Sequence, residues 1–158
     1  MYIKDVMSHP VITAPAGSTL DEVARLMWEF DCGIVPIVAG DGRLTGVVTD
    51  RDICMAAHTQ GKPLAAIAVE SAASTTVIAC HAEDSIERAE HLMRDHQIRR
   101  VPVLDNENRP VGMVAVSDLV RLGARAKKSG VDRELVRMLA AICRPHAHTA
   151  PGSDRVVA

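Results

Sequence analysis

The sequence predicts an α/β chain, of the α+β kind, built as two β-α-β-β-α units in tandem. Three observations carry this. Five groups of residues recur without a gap at a spacing of 66 positions. Within each copy, apolar residues pass from helical spacing to β-branched runs. Gly-, Asn- and Asp-bearing turns separate those runs. The matched groups are Val11-Ile12 with Val77-Ile78, Leu26-Met27 with Leu92-Met93, and Val35-Pro36-Ile37 with Val101-Pro102-Val103. Gly46-Val47-Val48 then meets Gly112-Met113-Val114, and Asp52-Ile53 meets Asp118-Leu119. One such coincidence means little; five in register mean duplication.

Each copy opens on a short extended piece, Val11–Thr13 and Val77–Ala79. A helix start follows, at Ser18 or Thr19 with Asp21 and Glu22, and at Asp84 with Glu87 three residues on, both patterned as capping boxes. Leu20, Val23, Leu26, Met27 and Phe30 stand at helical spacing in the first helix, and Ile86, Ala89, Leu92 and Met93 in the second. Ile34–Val38 and Leu44–Thr49 flank a Gly40-Asp41-Gly42 turn; Arg100–Leu104 and Val111–Ala115 flank a turn through Asp105–Asn108. Residues that tolerate φ > 0 between β-branched runs predict hairpins. Pro36 and Pro102 lack an N–H, which predicts a strand start, an edge or a bulge for each. A second helix closes each copy, near Asp50–Gln60 and Val116–Ala124.

Lys127-Lys128-Ser129-Gly130 reads as a break, and Asp132 as the cap of a further helix with an apolar stripe of Leu135, Met138, Leu139 and Ile142. That stripe needs cover from the same chain or from a second copy. The division expected is repeat 1 over 1–60, repeat 2 over 66–126, a C-terminal helix over 131–143 and a flexible tail over 145–158.

Composition narrows the function. The 158 residues are 47% apolar and 24% charged with a formal charge of −2, which gives no chain-wide attraction to nucleic acid or anionic membrane. Tyr2, Trp28 and Phe30 are the only aromatics, too few for base-stacking platforms. No apolar run approaches a membrane span, and the N-terminus lacks the apolar region of a signal peptide, so the cytoplasm is expected. Cys32, Cys54, Cys80 and Cys143 form no C-x-x-C pair and read as buried or half-buried hydrophobes in a reducing compartment. His91 and His96 do not share a helix face, and Cys143, His146 and His148 lack a fourth donor, so no metal site is expected. No nucleophile-base pair, P-loop, G-x-G-x-x-G turn or paired-carboxylate cleft is visible, so no enzyme is expected.

Four segments carry a family resemblance: Asp5-Val6-Met7-Ser8, Gly33 to Val38, Gly46 to Ile53, and His96 to Asp105. Their order and repetition from Tyr2 to Arg121 resemble the cystathionine-β-synthase (CBS) domain pair, or Bateman module. The Ala140-Ala141-Ile142-Cys143 region is also similar to the end of small stand-alone bacterial CBS-pair proteins, including the mycobacterial hypoxic-response type. The resemblance implies two repeats packed through their sheets with pseudo-twofold symmetry, two clefts between them, and a homodimer. It also implies a regulatory role exerted on an unidentified protein target, with AMP, ADP or ATP as ligand and no required cofactor.

Within Gly46-Val47-Val48-Thr49-Asp50-Arg51-Asp52, a helix start offers amides and a positive dipole end to a phosphate, Thr49 adds a hydroxyl, and Asp52 can accept two hydrogen bonds from a ribose diol. T-x-x-D is also an ordinary helix cap. The resemblance carries the nucleotide reading. In the second copy Ala115 replaces Thr49 while Asp118 persists, so two unequal sites are expected, the Thr49–Asp52 one being better equipped. Arg99 and Arg100 match a position that the family uses for phosphate, and neighbours on a strand point to opposite faces, so one of them faces a cleft. Arg51 is a further phosphate candidate. By resemblance Ile12, Thr13, Val35 and Pro36 line one adenine slot, and Ile78, Ala79, Val101 and Pro102 the other. A ligand-free interaction module remains the alternative.

Overall fold

The computed structural model describes residues 1–125 and 133–144. Repeat 1 forms β1 (Ala14–Pro15), α1 (Leu20–Glu29), β2 (Ile34–Val38), β3 (Leu44–Thr49) and α2 (Asp50–Gln60). Repeat 2 forms β4 (Cys80–His81), α3 (Ile86–His96), β5 (Arg100–Leu104), β6 (Pro110–Ala115) and α4 (Val116–Arg125), and α5 (Arg133–Ile142) follows. The sheets run β1-β2-β3 and β4-β5-β6, with the first pair of each parallel and the second antiparallel. The break at 127–130, Asp132 and the tail lie outside the described residues.

Local chemistry explains the elements. The Thr19 hydroxyl accepts the Glu22 N–H at 3.3 Å while the Glu22 carboxylate accepts the Thr19 N–H at 2.7 Å, a closed capping box. In repeat 2 the expected cap Asp84 is displaced by one residue: Ser85 is the N-cap, without a side-chain capping bond, and the Asp84 carboxylate instead accepts the His81 N–H at 2.8 Å. Phe30 falls outside the predicted stripe because α1 ends at Glu29, which leaves Phe30 as the C-cap. Both hairpin turns need a left-handed residue at matching positions, Gly42 with φ 85° and Asn108 with φ 61°.

Pro36 and Pro102 stand in the central strand of their sheets, yet each lies on a locally open flank. Val47, opposite Pro36, exchanges both its backbone hydrogen bonds with Ser74, so the missing N–H of Pro36 would point away from β3. On that other flank β1 pairs only from Ile37 onward. This also moves the first strands to Ala14–Pro15 and Cys80–His81, downstream of the extended pieces expected at Val11–Thr13 and Val77–Ala79.

The leading segments are exchanged between the repeats. Ser8 bridges Met113 and Tyr2 bridges Ser85, whereas the linker's Ser74 bridges Val47 and Ala68 bridges Thr19. Each pair maps onto the other by the 66-residue shift. The arm therefore belongs to the second core, where Ile3 is fully buried and Val6 and Met7 pack beside Val101, Val103 and Val114. Linker residues Ile67 and Val69 belong to the first core, with Leu20, Val23, Val35 and Val48. The α5 stripe closes the second core, with Met138 and Ile142 buried and Leu135 and Leu139 packed alongside, so its cover comes from α3 and α4 of the same chain. Cys80 is buried and its thiol is pushed up to about 12 by loss of solvation, and Cys32 is half-buried. Cys54 and Cys143 differ from expectation and are exposed.

Gly46 and Gly112 are what let the exchanged segments approach. A Cβ on Gly46 would lie 2.9 Å from the Ser74 carbonyl oxygen, a backbone atom; on Gly112 it would meet chiefly the movable Met7 sulfur, with Ser8 O at 3.2 Å. Gly46→Ala is expected to cost about 2 kcal/mol of overpacking, and Gly112→Ala less, in urea denaturation. Equal costs would mean that the Ser74 segment yields as easily as a methionine side chain.

Candidate functional site

Thr49 ends β3 and caps α2. Its hydroxyl donates to Asp52 Oδ2 at 2.6 Å and accepts the Asp52 N–H at 3.2 Å, while the Thr49 N–H donates to the same Oδ2 at 2.9 Å. Oδ2 is thus committed to the cap. Asp52 Oδ1 has no hydrogen bond among the described residues, so the half-buried carboxylate keeps one acceptor for a ligand hydroxyl. The first amides of α2 are occupied: Asp50 N–H goes to Gly33 O at 3.3 Å, and Arg51 N–H to Asp50 Oδ1 at 2.7 Å. A phosphate arriving there meets side chains before it meets amides.

A cation stands at this seam. Arg100, the first residue of β5, is half-buried and reaches across to repeat 1, where its guanidinium lies 3.4 Å from the Cβ position of Gly33 and Asp50 Oδ2 lies 3.1 Å from that same position. It forms no ion pair within 4.0 Å among the described residues. Its field also reaches Cys32, although burial dominates there and raises the thiol's pKa. Arg99 is exposed, with its carbonyl taking the Val116 N–H at 2.9 Å, and the Arg51 side chain is exposed as well. A side chain at Gly33 would press on the Asp50 carboxylate, 3.1 Å from its Cβ position, and on the Arg100 guanidinium at 3.4 Å, and one or both would have to give way.

Asp118 occupies the matching place in repeat 2 but in a different state. It is buried; Oδ2 accepts the Ala115 N–H at 2.8 Å and Oδ1 is ion-paired with Arg121. Half of the capping box thus survives the loss of the threonine. A groove of about 670 Å³ opens at this carboxylate, walled by Met1, Asp5 and Ser8 of the exchanged arm and by Asp118, Arg121 and Leu122 of α4. Sequence reasoning missed Arg121 and the arm. The Asp118-x-x-Arg121 spacing was a visible signal, since residues three apart on a helix are neighbours.

The apolar candidates divide. Val35 and Val101 are fully buried in the cores of their own repeats, and Pro36 and Pro102 are buried with them. Ile12, Thr13, Ile78 and Ala79 are half-buried, in the stretches that connect each exchanged segment to its first strand. Among the described residues no group of three or more His, Cys, Asp or Glu side chains is placed to hold a metal ion, and none of the described helices is long and apolar enough to cross a membrane. His146 and His148 lie outside the described residues.

Paired β-α-β-β-α units, exchanged leading segments and an aspartate in the first turn after each hairpin define a CBS pair. The chain belongs to the CBS domain family, with CBS domains matched at residues 3–59 and 69–125. It is 33% identical over 144 residues to hypoxic response protein 1 of Mycobacterium tuberculosis, covering 91% of this chain and 95% of that one. A crystal structure of hypoxic response protein I with two coordinated zinc ions superposes with a TM-score of 0.70 at 33% identity, over 77% of this chain and 98% of that one. The CBS domain pair of protein MJ0100 in complex with 5′-methylthioadenosine and S-adenosyl-L-methionine gives 0.73 at 30% identity, over 80% and 98%. A CBS domain protein from Pyrobaculum aerophilum complexed with AMP gives 0.69 at 25% identity, over 89% and 98%. Some curated relatives are longer: the chain spans 24% of a homoserine O-acetyltransferase of Methanohalobium evestigatum, at 31% identity over 121 residues. CBS pairs are generally regulatory rather than catalytic, and related pairs bind adenosine ligands.

Removing the Thr49 hydroxyl is a direct measure of the cap. Thr49→Ala, which copies Ala115, is expected to destabilise the protein by about 1 kcal/mol in chemical denaturation without changing the fold seen by circular dichroism. A negligible change would mean that the Thr49 N–H bond alone holds the helix start.

Proposed function

We propose that this chain is a regulatory module, not an enzyme, that holds an adenine ribonucleotide (AMP, ADP or ATP) in the clefts between its repeats. The observation that carries the reading is a cation near each aspartate-bearing helix start: Arg100, reaching from the other repeat to Gly33 and Asp50 at the start of the helix that holds Asp52, and Arg121, ion-paired with Asp118. The uncommitted oxygen of Asp52 is suited to a ribose diol, and Arg100 to the phosphate. Half-buried Ile12, Thr13, Ile78 and Ala79 supply apolar surface for the base. AMP bound to the Pyrobaculum aerophilum protein and S-adenosyl-L-methionine bound to the MJ0100 pair support adenosine as the shared element. Because Arg100 and Asp52 come from different repeats, a ligand bridging them favours one arrangement of the two halves over others, which is what regulation of a partner requires.

A ligand-free interaction module is the second reading. It is favoured by the self-satisfied helix starts, in which the Asp118 carboxylate is already neutralised and the first amides of α2 are already bonded.

A thermal-shift screen against AMP, ADP, ATP, NAD and S-adenosylmethionine, with dAMP as control, separates the two. A ribonucleotide at a hundred times its dissociation constant should add about 2.7 kcal/mol of stability. The gain should shrink with dAMP and fall in Asp52→Ala. No shift with any of them favours the interaction module.

We further propose a homodimer. Trp28 is 88% exposed, and Phe30 and Met55 are 53% and 44% exposed, at positions where repeat 2 carries Arg94, His96 and Arg121. A bare tryptophan, with two further exposed large apolar side chains on the same repeat, is the kind of surface that association covers. Trp28→Glu is expected to convert a dimer to a monomer in light scattering; a monomeric parent, or a dimer untouched by the change, would remove this face from consideration.

A further inference from the structure

We propose that Arg121 selects the ligand of the Asp118 groove: its ion pair shuts the groove to neutral nucleosides, and a phosphate-bearing ribonucleotide opens it by exchanging partners. The inference rests on the nucleotide reading above and adds to it the chemical class that this second site accepts.

Asp118 has no oxygen to spare. One is bonded to the Ala115 N–H and the other is held by Arg121. Its side chain is 6% exposed, whereas that of Arg121 is 65% exposed. Parting the two therefore strands a buried carboxylate, while the arginine returns to water at little cost. A diol can replace the guanidinium as hydrogen-bond donor, but it brings no charge, and a buried carboxylate that loses its cation is destabilised.

A ligand that also carries a phosphate changes this balance. Arg121 stays in the groove wall and turns from carboxylate to phosphate, which it can meet with two parallel N–H donors. Both ions then keep a cation or anion within reach. The groove volume of about 670 Å³ lies in the range of small-molecule sites. Asp5 is the other carboxylate of the wall; its Oδ2 accepts the Tyr2 N–H at 2.9 Å, which turns that oxygen toward the arm's own backbone.

Repeat 1 lacks this device. Met55 stands where Arg121 stands, and Asp52 keeps an open oxygen. Its phosphate-directed cation, Arg100, forms no ion pair within 4.0 Å among the described residues, so no such pair has to be parted. The two sites are thus built to discriminate differently, the first by accepting any adenosine diol and the second by demanding an anion.

Isothermal titration in an Asp52→Ala background isolates the Asp118 groove, using AMP and adenosine as probes. With Arg121 present, AMP should bind at least tenfold more tightly than adenosine. Arg121→Met, which copies repeat 1, should weaken AMP and tighten adenosine until the ratio approaches one, while Arg121→Lys should retain most of the preference. Tighter adenosine binding is the informative readout, since a merely damaged groove loses both ligands. An unchanged ratio in Arg121→Met, with AMP binding still abolished by Asp118→Asn, overturns the selection by Arg121 and leaves the nucleotide reading intact. If neither probe binds with Arg121 and Asp118 both in place, the nucleotide reading of this groove falls and the inference with it.

Discussion

Ser8 and Ser74 each lay a short segment against the outer edge of a strand in the opposite repeat, through paired hydrogen bonds to Met113 and Val47. Much else follows from this exchange. It fixes which strand edge is covered, and hence why Gly46 leaves no room for a side chain and Gly112 leaves room only if Met7 moves. It decides that the proline of each central strand faces an open flank. It also carries Ile3 into the second core and Ile67 into the first, where burying one such side chain is worth about 2 kcal/mol. The Lys4–Glu83 ion pair adds little to the arm's attachment, since both partners are exposed. Apolar burial and the Ser8 ladder hold it.

The same exchange builds the sites out of parts of different repeats. The wall of the Asp118 groove is the arm, and the cation beside the Asp52 helix start is Arg100 of repeat 2. The Asp118 carboxylate thus faces a groove that its own helix does not make alone. Helix capping and ligand binding also draw on the same atoms. Asp52 spends one oxygen on the Thr49 cap and keeps the other, whereas Asp118 spends one on Ala115 and the other on Arg121. A duplicated motif has been given two electrostatic states by single substitutions, Thr to Ala at the cap and Met against Arg one helical turn on.

Much of the fold was legible because a 66-residue shift superposes side-chain chemistry as well as hydropathy. The helices, hairpins and α5 stripe follow from local patterns that the core then uses, and the Thr19–Glu22 and Thr49–Asp52 boxes follow from spacing alone. What was hidden depends on non-local partners. The first strands moved because pairing starts where Pro36 allows it, which no window around Val11 can show. Asp84 lost its capping role because its carboxylate found the His81 amide first. Ser8 and Ser74 share the repeat spacing but lie outside the five matched groups, so the exchange was present in the sequence without standing out. Of the site, Asp52, Asp118 and one of the two adjacent arginines could be named in advance. The spacing of Arg121 from Asp118 was visible in the sequence, but its weight rests on the burial of Asp118, which only the structure shows.

The two cores also differ in how the ribosome delivers them. The first draws only on residues between Ala14 and Ala73, an unbroken stretch that can close before the second half is made. The second joins Ile3, Val6 and Met7 to residues from Ile78 to Ile142, so residues that precede the first core in the chain have partners that follow it. In topological terms repeat 1 is an insert within repeat 2. During synthesis the arm stays uncovered until residues on the far side of the first core have been made.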